Sequence, residues 1–550
     1  MHDFDTIVIG SGAGGLTAAL ALARAGQRVA VFEQHYLPGG WCHSFNLGGY
    51  RFSPGVHYIG GLGPGGPMRG LYEGLGLADD LVFLELNPDG YDHLQVGTER
   101  FDVPAGRERY AEALKRRFPR EAAGIDGYLG TCEAIYDELA GGTRARGLRG
   151  ALTLPWRLRH LLRYGFLTLD RFLDHFTKDP LLRAYLSIQA GDHGMGPAEA
   201  PAAMHASVVG HYLDGGWYPM GGARSLPKAY IAQLRKHGGV VKVRTPVDRI
   251  LFEGTGRSQR VVGVRLGDGT EVRAKAVVSN ADPGITYGRL VERDRLPRRL
   301  ARHLDRTTWS ISGLSLFLAA EIDPAEHGLD SGNLWYSHDT DIDAGYRLAH
   351  RPELASAGSL PGTFLTVTTL KDRTKHYGKL HTMESFAFVS YEAFRRWEGT
   401  PQGERDAAYE HFKQQLTDKM FEVLEHSVPG LRERTVFHEL GTPLTNVHYV
   451  ASTRGNLYGT EKRRGQLGPL GYGVRSPLQG LYLAGASTLG HGVAGATISG
   501  VAAACSVLGV SRREVLTGRG NLVTLPADHP GRWPSPWRDK ALPEPHDAVA

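Results

Sequence analysis

Apolar and polar positions follow two different periods along this chain, and the first element of each kind meets the other at the N-terminus. Thr6 to Ile9 is an apolar run of mostly β-branched residues, the pattern of a strand buried on both faces of a parallel sheet. Leu16 to Arg24, rich in Ala and Leu, predicts a packed helix, and Arg28 to Phe32 predicts a second buried strand. Helical spacing returns in Glu108–Phe118, Arg120–Leu139 and Arg405–His426. Strands are predicted over Val240–Val247 and over Val261–Arg273, with a hairpin at Asp268-Gly269, and a strand and turn over Ala276–Asp282. Trp309–Leu318, Thr363–Leu370 and Phe386–Tyr391 read as strands of a second sheet.

The turn between the first strand and helix is Gly10-Ser11-Gly12-Ala13-Gly14-Gly15, with Gly10, Gly12 and Gly15 in the G-x-G-x-x-G spacing. The first glycine permits the tight turn, the second lets a pyrophosphate approach the backbone, and the third lets helix pack on strand. The helix presents free amides, and its dipole favours negative charge there. Glu33 ends the second strand, where a carboxylate can accept from a ribose 2′-hydroxyl. A second glycine-rich strand-to-helix passage lies near the other end, running from Gly480 through Gly485, Gly490, Gly492 and Gly495-Ala496 to Gly500. Two such segments several hundred residues apart argue for FAD rather than NAD, whose domain rarely needs a distant closing strand.

Composition narrows the class. The 550 residues suffice for two or three domains, and 41% hydrophobic with 22% charged residues is ordinary for a soluble enzyme. A net charge of +5 implies no nucleic-acid partner, and the three cysteines (Cys42, Cys132, Cys505) show neither a C-x-x-C pair nor a zinc pattern, so no metal is expected. Lone cysteines and a start without a basic leader point to a cytoplasmic protein. Thr6–Ala23 and Leu481–Val510 lack charged residues but are dense in Gly and Ala, so both are expected to be buried elements and not membrane spans. Arg144 to Leu173 mixes Arg144, Arg146, Arg149, Arg157, Arg159, Arg163 and Arg171 with Trp156, Tyr164 and Phe166. That composition suits either peripheral contact with an anionic membrane or a solvated arginine face.

After Glu33 come Pro38-Gly39-Gly40, His43-Ser44-Phe45 and Gly55-Val56-His57-Tyr58-Ile59-Gly60. The run from Gly10 to Gly60 resembles flavin enzymes of the phytoene desaturase and carotenoid isomerase group, and Gly55–Gly60 is most similar to the retinol saturase branch. Tyr218-Pro219-Met220-Gly221-Gly222, Pro443–Asn446 and Arg454–Gly459 are similar to that branch as well. The resemblance runs from about Phe4 to Val510. It implies an α/β fold class: a Rossmann-type FAD-binding domain with a parallel sheet and βαβ unit, and an inserted α+β substrate domain. The expected partition is 1–75, 220–290 and 440–510 for the cofactor domain, 76–219 and 291–439 for the substrate domain, and a Pro-rich strap, extended or partly disordered, over 511–550.

By the same resemblance FAD is held by Gly10, Ser11, Gly12, Ala13, Gly14, Gly15, Glu33, Gln34, Gly39, Gly40, Val247 (through its backbone, at the adenine edge), Gly485, Gly492, Gly495 and Ala496. Ala486 stands where many flavoproteins have Asp, and Trp41 follows the double glycine where relatives carry Arg or a small residue. The implied reaction is saturation, desaturation or cis–trans isomerisation of a long apolar polyene, coupled to an external electron donor or acceptor. Hydride chemistry belongs to the flavin, so the chain has chiefly to orient substrate and handle a proton. Tyr58, His57 and Tyr218 are the catalytic candidates, with His211 and His491 also expected near the ring. An apolar tunnel is expected to reach the flavin between the domains, with Tyr58 and Trp217-Tyr218 at its inner end. Two other classes fit the same cofactor fold: an amine or amino-acid oxidase, and a non-catalytic lipid or prenyl carrier of the GDP-dissociation-inhibitor kind.

Overall fold

The structure, a computed structural model, describes residues 2–142, 153–355 and 358–541. Phe4–Ile9 lies inside a seven-stranded sheet, flanked in parallel by Val29–Phe32 and Glu271–Ser279. Val240–Lys242 extends the parallel set beyond Val29–Phe32, and Leu481–Leu483 joins it beside Glu271–Ser279. Ile7, Val8, Val29, Ala30, Val31, Val277 and Val278 are fully buried, as continuous apolar strands covered on both faces must be. The helices Ala13–Arg24 and Gly492–Leu508 cover one of these faces together. A side chain at Gly500 would overlap the Gly14 carbonyl, so the glycine lets the two backbones touch.

The single strand predicted over Val240–Val247 is in fact two. Val240–Lys242 pairs with the parallel set, whereas Val247–Glu253 begins an antiparallel ribbon with Arg260–Leu266. Arg244 adopts a left-handed φ of 51° between them, and Pro246 has no amide to continue a ladder.

A second seven-stranded sheet runs in the order Thr435–Gly441, Ser312–Ala320, His381–Val389, Gly362–Val367, Asn333–Ser337, Asp92–Val96 and Glu99–Val103. Its only parallel pair joins Asn333–Ser337 to Asp92–Val96. The register sets Trp335 opposite Phe364 and Phe364 opposite Phe386, which puts a row of aromatic rings on one face. Apart from Thr435–Gly441, which crosses the expected boundary at 439/440, the two large sheets draw their strands from the segments expected for the two domains, and we propose those segments as the domain boundaries.

A small third sheet ties in the chain's end. Val523–Pro526 lies parallel to Val82–Glu85, which pairs antiparallel with Trp217–Pro219. Trp533 is only 1% exposed and donates its indole N–H to the Pro526 carbonyl at 2.7 Å. The expected loose strap is therefore a docked strand and tryptophan anchor through Ala541, because β-pairing and burial of Trp533 with Leu84 and Leu525 outweigh the prolines. No helix of the described residues is long and apolar enough to cross a membrane. Arg144, Arg146 and Arg149 of the basic segment lie outside the described residues.

Candidate functional site

The glycine turn after the first strand is shaped from behind by Asn280, at the end of Glu271–Ser279. Its side chain occupies the space that a Cβ would need at Gly12 or Gly14, and its Oδ1 is buried without a hydrogen-bond partner. Gly10 has φ +86°, Gly39 +125° and Gly40 +54°, conformations that L side chains rarely adopt. A Cβ on Gly40 would sit 3.1 Å from the Gly12 Cα, so the two glycine loops touch. Ser11 links them: its hydroxyl accepts the Gly39 amide at 2.9 Å. Glu33 is buried and accepts the His35 amide at 2.8 Å, while Gln34 beside it is exposed. Val247 begins its strand two residues after Thr245, whose amide donates to the Glu33 carbonyl at 2.8 Å.

The C-terminal half meets this cradle directly. Gly485 has φ +97°, donates its amide to Ser499 Oγ at 2.7 Å, and its nitrogen would lie 2.7 Å from a Cβ on Gly14. The helix Gly492–Leu508 starts after His491 with no side-chain cap and no acidic residue in its first turn. The helix Ala13–Arg24 starts the same way after Gly12. Two converging helices thus offer bare N-terminal amides, which require an acceptor from outside the protein. Gly492 faces open space, whereas a Cβ on Gly495 would overlap Gly490, so Gly495 lets the loop pack against the helix start.

These residues fit FAD. Gly12–Gly15 and the first helix would hold the pyrophosphate, Glu33 the adenosine ribose, and the second helix start the pyrimidine edge of the ring. Lys462 acts electrostatically on His491 at the start of that helix: it is buried, donates to Thr460 Oγ1 at 3.3 Å, and is brought down to about 7 by burial. His491 is pushed down to about 3 by burial and by the Lys462 charge, so it is neutral.

The other candidates fall at different depths. His57 stands 3.3 Å from Glu384 through Nδ1, with its ring 5.0 Å from Phe364. Tyr58 stacks on Tyr212 at 4.2 Å and donates its hydroxyl between two carboxylates, Asp192 at 2.9 Å and Asp92 at 3.2 Å. His211 accepts the Gly60 amide at 2.9 Å and is held near pH 4 by burial, which makes it a brace for the Gly55–Gly60 segment. Tyr218 is fully enclosed, and the Lys371 ammonium lies between it and Tyr58, 5.6 and 5.8 Å from the two rings. Tyr218 belongs to Trp217–Pro219, a paired strand of the small sheet, whereas Tyr58 lies in the Gly55–Gly60 segment.

Sequence reasoning missed Asn280, Lys462, and the cluster of buried Asp92, Asn333 and Lys371 with half-buried Asp192. Lys371 donates to the His57 carbonyl at 2.6 Å and to Asn333 Oδ1, and Asn333 in turn donates to Asp92 at 2.8 Å. None of these lies in a motif. The one available signal was polarity within apolar strands, as at Asn280 after Val277-Val278-Ser279 and Asp92 before Leu94.

A dinucleotide cradle closed by a second bare helix start, beside a mixed sheet, defines a flavin-dependent oxidoreductase. The chain belongs to the family of flavin containing amine oxidoreductases, which it matches over residues 13–508. It is 32% identical over 525 residues to the all-trans-retinol 13,14-reductase of Danio rerio, covering 90% of this chain and 84% of that protein. It is 28% identical over 521 residues to the chloroplastic prolycopene isomerase of Daucus carota, covering 91% and 79%. A solved putrescine oxidase shares the fold at a TM-score of 0.59 and 16% identity, covering 92% of this chain and 99% of the other. The resemblance carried by Gly10–Gly60 therefore holds along most of the chain, and the cofactor is FAD.

Proposed function

We propose that this protein acts on the double bonds of a long apolar polyene of the retinoid or carotenoid kind, by saturation, desaturation or cis–trans isomerisation. One observation carries the reading: a row of aromatic rings runs across one face of the second sheet. From His57 it passes to Phe364 at 5.0 Å, Phe386 at 4.7 Å from Phe364, Phe388 at 5.7 Å and Tyr346 at 5.5 Å between ring centroids. Phe364, Phe386, Phe388 and Tyr346, with Trp335 and Ile342, border a cavity of about 70 Å³ in which no lining residue is charged, a void that takes only a short part of a polyene unless the rings move apart. Such a wall suits a conjugated hydrocarbon and leaves an amine without a counter-charge. The names of the two relatives above describe proteins that work on polyenes, which supports the same reading.

When bound, FAD supplies hydride transfer at the ring. The chain's own part is to hold the polyene along the aromatic row, exclude water, and manage the proton. Electrons enter or leave through an external donor or acceptor.

We further propose that substrate is drawn from a membrane surface. Trp156 (72% exposed), Leu162 and Phe166 (55% each) project from the segment carrying Arg157, Arg159 and Arg163. Arg159 lies over the Trp156 ring at 5.3 Å, which presents charge and aromatic surface together.

The test is anaerobic incubation of dithionite-reduced holoprotein with retinoids and carotenoids, and of oxidised holoprotein with amines. A polyene product altered at a double bond is expected. Amine turnover without any polyene product would overturn the assignment.

A further inference from the structure

Asp192 follows Gly191, a residue with contacts to the aromatic-walled cavity and, through Tyr458, to the start of the closing helix. Gly191 lines that cavity, and a side chain there would overlap Trp335. The Gly191 carbonyl accepts the Tyr458 hydroxyl at 2.8 Å, and the Tyr458 ring packs edge-on against His491, at the start of the closing helix, at 5.2 Å. On its other side Asp192 accepts from Tyr58, in the Gly55–Gly60 segment.

The hydrogen bonds around Tyr58 are unequal. Its single hydroxyl hydrogen faces Asp92 and Asp192 together, 3.2 and 2.9 Å away. Asp92 also receives amide hydrogens from Gln189 at 2.6 Å and Asn333 at 2.8 Å, and Lys371 supplies a buried positive charge through Asn333. Among the described residues, the Asp192 side chain has Tyr58 as its one hydrogen-bond partner and pairs with no cation. The other titratable groups that face it are Tyr91, Tyr212, Tyr346 and Tyr458, all held neutral by burial. Two carboxylates that share one hydroxyl hydrogen, one of them fully buried and the other half-buried, resist ionising together, and the one without compensating donors keeps the proton.

Building on the polyene reading, we propose that Asp192 is a neutral carboxylic acid beside this cavity and the proton donor to the substrate carbon, with Tyr58 as its positioning residue. In the reducing direction, a hydride bearing the two electrons of the external reductant adds to one carbon of the double bond. The π pair then forms a C–H bond at the neighbouring carbon with the Asp192 proton, leaving a carboxylate that the Tyr58 hydroxyl stabilises. Oxidation reverses each transfer. Burial and the Asp92 charge raise Asp192 to about 8, whereas Asp92, which burial raises but its amide donors and Lys371 hold back, reaches about 6. A carboxyl kept neutral near pH 7 can donate a proton that an ordinary aspartate has already lost.

Infrared spectroscopy of the holoprotein at pH 7 tests this without substrate. A carbonyl band from a buried protonated carboxyl is expected in the wild type, absent in Asp192→Asn, and shifted but present in Tyr58→Phe. Turnover by Asp192→Asn should fall by about 100-fold or more, while FAD content and the rate of flavin reduction by dithionite stay at wild-type levels, and Asp192→Glu should recover part of the loss. A missing band in the wild type, a band that survives Asp192→Asn, or wild-type turnover in that variant would overturn the proposal. If no polyene reacts yet the band behaves as stated, the neutral acid stands and it is the substrate assignment that fails.

Discussion

Glu33 accepts both polar hydrogens of Ser11, the amide at 2.8 Å and the hydroxyl at 2.6 Å. The Ser11 hydroxyl in turn accepts from Gly39, so one carboxylate fixes both glycine loops of the cradle. Removing it strands buried donors, each costing about 1–3 kcal/mol. Glu33→Ala should weaken FAD binding to the apoprotein by roughly 10- to 100-fold, or about 1.4 to 2.8 kcal/mol, with Glu33→Gln intermediate. Fluorescence titration with FAD measures this, and unchanged affinity in the alanine variant would leave Glu33 without a role in the site.

Gly495→Ala should lower flavin content as well, by a different route. The added methyl meets the Gly490 backbone, displacing His491 and the start of the closing helix. The flavin content after gel filtration should fall well below one per chain, whereas Gly492→Ala is expected to change it through its positive φ alone.

Lys462 and the closing helix bring positive potential to the edge of the ring, where reduction adds negative charge. Lys462→Met should make the bound flavin harder to reduce while the protein still binds it. Equilibration with redox dyes would show a lower midpoint potential in the variant. A potential equal to that of the wild type would remove Lys462 from the site.

His93 bridges Asp102 at 2.6 Å and Asp330 at 3.0 Å. Burial pulls its pKa down, but the two carboxylate partners prevail and raise it to about 9. A histidine raised above its unfolded value of 6.5 contributes stability that is complete below pH 6.5 and is lost as pH rises through 9. The stability difference between wild type and His93→Gln should therefore shrink between these values, by about 3 kcal/mol at most and by less because Asp102 is half exposed. Denaturant unfolding at pH 6 and at pH 9.5 measures the change.

Trp156→Ala and the triple change of Arg157, Arg159 and Arg163 to Gln should each reduce co-sedimentation with anionic liposomes. Only the binding that depends on the arginines should weaken as salt rises. Equal binding to neutral vesicles, or none to either kind, would leave the segment as a solvated face.

What could be read from the sequence is what is local. The first strand, turn, helix and Glu33 sit within thirty residues of one another, so spacing alone reveals their geometry. Gly485 and Gly492 were legible for the same reason. The polar cluster was not, because the parallel pairing of Asn333–Ser337 with Asp92–Val96 brings Asn333 to Asp92, and Asp192 and Lys371 reach them from two further elements, long-range choices that no period encodes. Tyr58 lay in a recognisable segment, yet its two carboxylate partners could not be named. The break at Arg244 and Pro246 was also visible in principle, since proline interrupts ladders, but the flanking valines masked it.

The order of the strands also bears on how the protein comes into being. Glu271–Ser279 is bordered by Phe4–Ile9 on one side and by Leu481–Leu483 on the other. The first of these leaves the ribosome early and the last nearly at the end, and at about 5–20 residues per second the interval is roughly half a minute to a minute and a half. Throughout that time the nascent chain carries a nucleotide turn whose second wall has not been made. Flavin capture that needs both walls of the cradle consequently waits for the last of these strands.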